Sequence, residues 1–373
     1  MRIGIPKERR PGETRVAATP ETIRKLVKAG HEVLVEREAG VASDIPDAAY
    51  EEAGATLVDT AGAFGADLVA KVRAPMDEEL PHLKAGSARL GMLNPFHTEG
   101  LERLAATGVT GFALEAAPRT TRAQSLDVLS SQANIAGYKA VLVAANLYQR
   151  FFPMMMTAAG TAKAARVVVL GAGVAGLQAI ATAKRLGAVI EASDVRPVVK
   201  EQIESLGAKF IDVPYETDEE REAAAGVGGY ARPMPASWLQ RQAQAVAERI
   251  KQADVVITTA LIPGRKAPVL VTREMVESMK PGSVIVDMAA EQGGNCELSQ
   301  ADKVVRHQGV SIAGVGNLPA LVPADASAFY ARNVLDFLKL IVDDEKKLVV
   351  NLEDDIVKAC LVTQDGKVLR EQK

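Results

Sequence analysis

Cysteine is nearly absent from the sequence: Cys296 and Cys360 are the only two in a chain of 373 residues. That count excludes a disulfide framework and a cysteine-built zinc site, and it fits a reducing compartment. A large excess of either charge is also missing. Formal net charge is −3, with 24% charged and 48% hydrophobic residues. These values exclude a disordered chain and a nucleic-acid binder held by net basic charge. No stretch of about 18 apolar residues runs uninterrupted, as a membrane-spanning helix would require. The nearest, 167–183 and 140–162, are broken by glycines and Gln178 and by Gln149, Arg150 and Pro153. The opening MRIGIPKERRPGE carries charge where a secretion signal has its apolar core. Any work at a membrane is therefore expected to go through a partner that does the spanning. The histidines, His31, His82, His97 and His307, lack metal-ligand spacing. Of these, only His97, close behind an expected strand, stays open as a proton-transfer group.

Short β-branched runs alternate with alanine-rich helical stretches, the pattern of a parallel α/β sandwich. Strands are expected at 2–5, 32–36, 68–72, 89–92 and 109–114, then in a second series at 167–170, 189–193, 209–212, 255–258, 283–287 and 310–314. At about 100–200 residues per domain, the length allows two domains. Helical patterns at 128–152 and 325–341 would carry the chain between them and back. The expected division is thus 1–127 with 330–373, and 128–329. Each domain reads as a Rossmann-like, doubly wound parallel sheet, with long connecting helices and a ligand cleft between the two. Residues 225–235, rich in glycine and proline, read as a mobile surface loop. The tail KACLVTQDGKVL reads as a hairpin turning at Asp365-Gly366.

The strongest chemical signal is Gly171-Ala172-Gly173-Val174-Ala175-Gly176, with a strand before it and a helix after. Gly171 permits the tight turn, Gly173 lets the backbone approach a pyrophosphate, and Gly176 lets the helix close on the strand. Asp194 ends the next strand, where its carboxylate can accept from both adenosine ribose hydroxyls. It would repel a 2′-phosphate, so NAD(H) is favoured over NADP(H), although Arg196 nearby weakens that inference. Two loops at the carboxyl edge, Thr258-Thr259-Ala260-Leu261-Ile262-Pro263-Gly264 and Gly314-Val315-Gly316-Asn317-Leu318-Pro319, stand where cofactors lie, or are plain strand-to-helix loops. The polar stretch from Arg119 to Gln132 either holds a bend from which Gln124 projects, with Arg119 and Asp127 paired, or is a capped helix start. Lys7 to Arg15 could bind an anion, with a solvated face as the default.

An enzyme oxidising an alcohol or amine must move a proton with its hydride and needs a positioned base. Transfer between two nicotinamides moves hydride alone, and needs two rings held in contact. The segments MRIGIPKERRPGETRVAATPE, RTTRAQSLDVLSSQANIAGYKAV, PMMMTAAGTAKAARVVVLGAGVAGLQAIATAKRLGA, TTALIPGRKAPVLVT and IVDMAAEQGGNC resemble the alanine dehydrogenase/transhydrogenase superfamily over essentially the whole chain. Its dehydrogenase branch carries a catalytic lysine in a VKEP-like strand end, where this sequence has Arg73. It carries a histidine after a YLHLA-like strand, where His97 falls two or three residues out of register. It has an aspartate in a DQGG segment, where Glu291 stands. Arg15, similar to that branch's carboxylate-binding arginine, is retained.

The polar loop instead matches the transhydrogenase branch. That resemblance implies that Gln124 contacts the nicotinamide ribose or ring, that Asp127 and Ser130 orient the carboxamide, and that Arg119 braces the loop. It also carries over Tyr138, Asp194 with Val195 and Arg196, and Tyr230, which would fold over bound nucleotide. The implied protein is the NAD(H)-binding component of a proton-translocating transhydrogenase and works as a homodimer. Its partners would be an NADP(H)-binding subunit and a membrane-spanning subunit, which would hold it on the cytoplasmic side of the inner membrane. The alternatives are an NAD-dependent alanine dehydrogenase and a nucleotide sensor without catalysis.

Overall fold

The computed structural model describes residues 1–225, 234–262 and 264–370. The chain divides into two compact units, Met1–Gln132 with Pro319–Lys373, and Ala133–Leu318. The divisions expected from the sequence stand at 127/128 and 329/330. The helix Val128–Leu147 passes through the first division. The expected return helix needs correcting: Pro323–Ile341 lies wholly within the first unit. Its apolar stripe explains this, since Tyr330, Val334, Phe337 and Ile341 are buried in that unit's core.

The first unit is built on an eight-stranded sheet in the order Lys367–Val368, Leu361–Gln364, Thr110–Ala113, Ala88–Met92, Leu68–Arg73, Arg2–Ile5, Glu32–Glu36, Thr56–Val58. The six strands from Thr110–Ala113 to Thr56–Val58 are parallel, and the two C-terminal strands join antiparallel. Leu68 to Val72 are all buried, the continuous run a central parallel strand needs when both its faces are covered. Helix Pro20–Lys28 opens with proline in its first turn, where no amide bond is lost, and buries Ile23 and Leu26. Thr56–Val58 escaped the sequence reading because this three-residue edge strand has no fully buried position. In the tail, Asp355–Cys360 is helical, so the hairpin begins only at Leu361. Asp365 and Gly366 both take positive φ, 50° and 74°, as a two-residue hairpin turn of this hand demands.

Among the described residues the main sheet of the second unit has seven strands, in the order Lys209–Phe210, Val189–Ser193, Arg166–Leu170, Val255–Thr258, Val284–Asp287, Val310–Ala313, Val304–His307. All pair in parallel except the last, an antiparallel edge strand that was not expected. Strand order reverses at Arg166–Leu170, the topological switch point of a doubly wound sheet. Register then sets the geometry of the loops beyond the strand ends. Leu170 is level with Ser193 on one side and Thr258 on the other, so Gly171, Asp194 and Thr259 leave the sheet together. A two-stranded hairpin, Met155–Thr157 with Gly160–Ala162, also belongs to this unit. Its Met155 and Met156 are 40% and 74% exposed.

Candidate functional site

In the second unit the three glycines are required for three different reasons. Gly171 has φ +97°, a left-handed conformation, and a Cβ there would lie 2.7 Å from Thr259 Oγ1. A Cβ on Gly176 would lie 1.8 Å from the Gly171 carbonyl oxygen, so only glycine lets the helix Val174–Arg185 start this close to the strand. At Gly173 nothing stands within 4 Å of the missing Cβ. That open face lies at the start of a twelve-residue helix, whose unpaired amides and dipole suit a pyrophosphate. The loop therefore fits a dinucleotide on its own geometry. Val174 is exposed and Ala175 half-buried beside it.

Asp194 anchors this loop. Its Oδ2 accepts from the Ala172 amide at 2.8 Å, and its Oδ1 from the Arg196 amide at 2.9 Å. The Arg196 side chain adds Nε to Oδ1 and Nη2 to Oδ2, both at 2.9 Å. Val195 is half-buried and packs on a small cluster around Trp238. Tyr230, with the rest of the glycine-rich stretch 226–233, lies outside the described residues.

Several residues to which the sequence reading gave no role of their own hold this edge in place. Thr259 donates through Oγ1 to the Gly171 carbonyl at 2.9 Å. Fully buried Asn295 grips Ala260 at both ends, accepting its amide at 3.0 Å and donating to its carbonyl at 2.9 Å, while also donating to the Pro268 carbonyl at 2.8 Å. Gly137, whose Cβ would fall 2.1 Å from the Ala175 carbonyl oxygen, lets helix Val128–Leu147 close on the glycine loop. Tyr138, 40% exposed, is thereby set beside it. Among those three, Gly137 left a trace in the sequence, as a glycine inside a strong helical pattern.

Two expected contacts need correcting. Thr258 is fully buried and its hydroxyl donates to Asp287 at 3.1 Å. Leu318 is 1% exposed and belongs to the core. Thr258 closes the strand Val255–Thr258, all four residues of which are buried, and Leu318 opens the 3-10 helix Leu318–Leu321 with its side chain in the core. Exposed Leu261, half-buried Ala260 and half-buried Asn317 are the expected contacts that remain at the surface of those loops.

The polar loop belongs to the first unit. Thr121–Leu126 forms a 3-10 helix anchored by buried Ala123 and Leu126, leaving Gln124 exposed. Asp127 is a helix cap: Oδ1 accepts the Ser130 amide at 2.9 Å and Oδ2 the Ser130 hydroxyl at 2.6 Å. The capped helix start, kept open in the sequence, is thus what Asp127 builds. Arg119 stands exposed at the beginning of the loop. Asn333 ties the loop down, donating to the Ser125 carbonyl at 2.8 Å and accepting the Ser131 hydroxyl at 2.7 Å. Arg122 reaches Asp354 at 2.6 and 2.8 Å and Asp355 at 2.5 Å.

The charged stretch near Arg15 is no solvated face. Arg15, 2% exposed, donates to both oxygens of Glu13 at 2.7 Å and to Gln132 at 2.8 Å. Arg73 donates to the same carboxylate at 3.0 Å. Burial works against charge on Glu13, but the two guanidinium groups override it and hold its carboxyl down at about 2. Lys71, 1% exposed, donates to Glu79 at 2.5 and 2.7 Å and lies 3.6 Å from Glu8. Glu115 accepts the Leu93 and Asn94 amides, yet burial still pushes it up to about 7. The ring of His97 accepts the Gly100 amide at 3.2 Å, capping helix Thr98–Ala106. Among the described residues, no group of histidine, cysteine and acidic side chains could hold a metal ion, and no helix is long and apolar enough to cross a membrane.

Comparison with known proteins agrees with this geometry. Residues 4–136 match the family model of the alanine dehydrogenase/PNT N-terminal domain, and residues 140–371 that of the alanine dehydrogenase/PNT C-terminal domain. The chain is 52% identical to an NAD(P) transhydrogenase subunit alpha chain of Rhodospirillum rubrum, over 99% of this chain and 98% of that relative. It is 34% identical to alanine dehydrogenase 1 of Staphylococcus aureus, over 92% of this chain and 88% of that one. The crystal structure of transhydrogenase from Sinorhizobium meliloti superposes with a TM-score of 0.90 at 49% identity, covering 99% of this chain and all of the other. A glycine loop built for a pyrophosphate, an aspartate at the next strand end and both family domains in order lead to one conclusion: the chain belongs to the alanine dehydrogenase/PNT family, and its cofactor is NAD(H).

Proposed function

We propose that the chain is the NAD(H)-binding component of a proton-translocating transhydrogenase and passes hydride to NADP+ on a separate subunit. One observation carries the choice over an amino-acid dehydrogenase. Where that branch keeps its lysine, this chain has Arg73 bound to Glu13, and His97, out of register with that branch's histidine, caps a helix. Neither is set to take a proton from an amine, and a reaction between two nicotinamides needs none.

Bound NAD(H) supplies the hydride and the electron pair that travels with it. The chain's own work is to hold and orient. Gly171, Gly173, Val174, Ala175 and Gly176 take the pyrophosphate, and Asp194 takes the adenosine ribose, with Val195 and Arg196 beside it. Ala260, Leu261, Asn317 and Tyr138 line the remainder, and Tyr230 covers the nucleotide. Gln124 contacts the nicotinamide ribose or ring, Asp127 and Ser130 orient the carboxamide, and Arg119 braces the loop. Asp127 suits this role because the two hydrogen bonds it accepts from Ser130 fix its rotamer in advance.

The partners in this reading are an NADP(H)-binding subunit and a membrane-spanning subunit that carries the proton path. They hold the chain at the cytoplasmic face of the inner membrane. A second copy of the chain completes a homodimer. Exposed Phe151, Met154, Met155 and Met156 form an apolar patch that supports such an interface.

The deciding experiment gives the purified chain NADH, its NADP(H)-binding partner and NADP+, and separately NAD+ with alanine. Hydride transfer to NADP+ with no alanine turnover is the expected result. Alanine oxidation at an ordinary enzymatic rate, about 1–1,000 per second, would replace this reading with the dehydrogenase.

A further inference from the structure

We infer that Asp194 and Arg196 act as one unit, in which the carboxylate restrains a guanidinium that would otherwise accept an adenosine 2′-phosphate. The inference rests on the reading that Asp194 faces the adenosine ribose.

Asp194 is almost enclosed, its side chain 6% exposed, and that of Arg196 is 22% exposed. A carboxylate offers about four acceptor positions, and all four are filled. The backbone amides of Ala172 and Arg196 take two, and the Arg196 fork, through Nε and Nη2, takes the other two. The amides belong to the framework of the loop and stay. The fork acts as a placeholder, since it fills the two acceptor positions on Asp194 that the framework amides leave over for ribose hydroxyls. Ribose binding therefore has to exchange two hydroxyl donors for the guanidinium and push the Arg196 side chain aside.

This arrangement changes the account of cofactor selectivity. An isolated Asp194 would exclude a 2′-phosphate by repulsion. Paired with Arg196, it forms a net-neutral group in which repulsion is much reduced and the receptor for a phosphate is already present. Arginine is the side chain suited to that anion, because its planar fork binds phosphate oxygens in pairs. What keeps the phosphate out is that Asp194 engages the fork first. A 2′-phosphate that captured Arg196 would leave the enclosed Asp194 carboxylate facing an anion with two of its acceptor positions empty.

The test titrates NADH and NADPH separately into the whole chain, following nucleotide fluorescence. Asp194→Ser should weaken NADH about tenfold and strengthen NADPH about tenfold, the scale of one charge-assisted hydrogen bond gained or lost. Asp194→Ser combined with Arg196→Gln should lose the gain toward NADPH. Arg196→Gln alone should weaken NADPH further and tighten NADH, because ribose no longer has to displace the guanidinium. An equal NADPH gain in the single and double variants overturns the inference and leaves the ribose assignment standing. An unchanged NADH affinity in Asp194→Ser overturns the ribose assignment itself. Should Asp194→Ser disturb the Ala172 turn and fail to fold, Arg196→Gln alone decides: unchanged or tighter NADPH binding overturns the inference.

Discussion

The two units share one architecture and use it for opposite ends. Both are doubly wound sheets whose order reverses at the sheet's first strand in the chain, Arg2–Ile5 in one and Arg166–Leu170 in the other. In the second unit that strand runs into Gly171-Ala172-Gly173, and open backbone is left for a ligand. In the first it runs into Pro6-Lys7-Glu8-Arg9, and the same edge is filled with paired charges. Glu8 accepts the Val72 amide and lies near Lys71, while Arg9 pairs with Glu36. The fold thus offers a favoured place for chemistry, and local side chains decide whether that place holds a ligand or the protein's own ions.

The comparison can be broken at either edge. Gly176→Val should have the largest effect, abolishing NADH binding outright, because its side chain would have to occupy the Gly171 carbonyl. NADH titration with a circular dichroism control for folding checks it, and retained binding would mean the close approach is dispensable. Next comes Glu13→Gln, which takes the carboxylate charge from buried Arg15 and half-buried Arg73. A loss of about 3–5 kcal/mol is expected in urea unfolding, typical of removing one partner from a buried ion pair. Acid should act in the same direction. With its folded pKa lowered to about 2, the stability Glu13 contributes is present above about 4.5 and is lost as pH falls toward 2.

Smaller effects sharpen the contrast. Gln124→Asn should slow hydride transfer about tenfold, or about 1.4 kcal/mol of barrier, with NADH affinity nearly unchanged. Pre-steady-state transfer beside equilibrium binding separates the two, and a parallel loss would make Gln124 a plain binding residue. The gentlest change is expected from Glu115→Gln. With its folded pKa raised from 4.5 to about 7, Glu115 favours the folded state below 4.5 and gives up that contribution as pH rises to about 7. A slope of less than about 1.4 kcal/mol per pH unit should therefore vanish in the variant. Melting temperatures recorded across that window would reveal it.

How much could be read in advance depended on the range of the interaction. Strands Glu32–Glu36, Val189–Ser193 and Val255–Thr258 were legible to the residue, since buried β-branched runs carry their own signal. Thr56–Val58 and Val304–His307 were not, because edge strands bury little and lack that pattern. Within the candidate site, the glycines and Asp194 were evident from spacing. Asn295 was not, because its grip on Ala260 spans 35 residues.

The sequence alone established what is local: the strand–turn–helix around Gly171 and the alternation that makes two wound sheets. Steric rules over a few neighbouring residues suffice for that. Only the tertiary structure decided the fate of the charges. Arg15, Lys71 and Arg73 look like solvated residues in one dimension. Arg15 and Lys71 become buried, and Arg73 half-buried, because Glu13, Glu79 and Gln132 meet them to share the cost of desolvation. Desolvation is governed by distances in space, and no run of neighbouring letters records those.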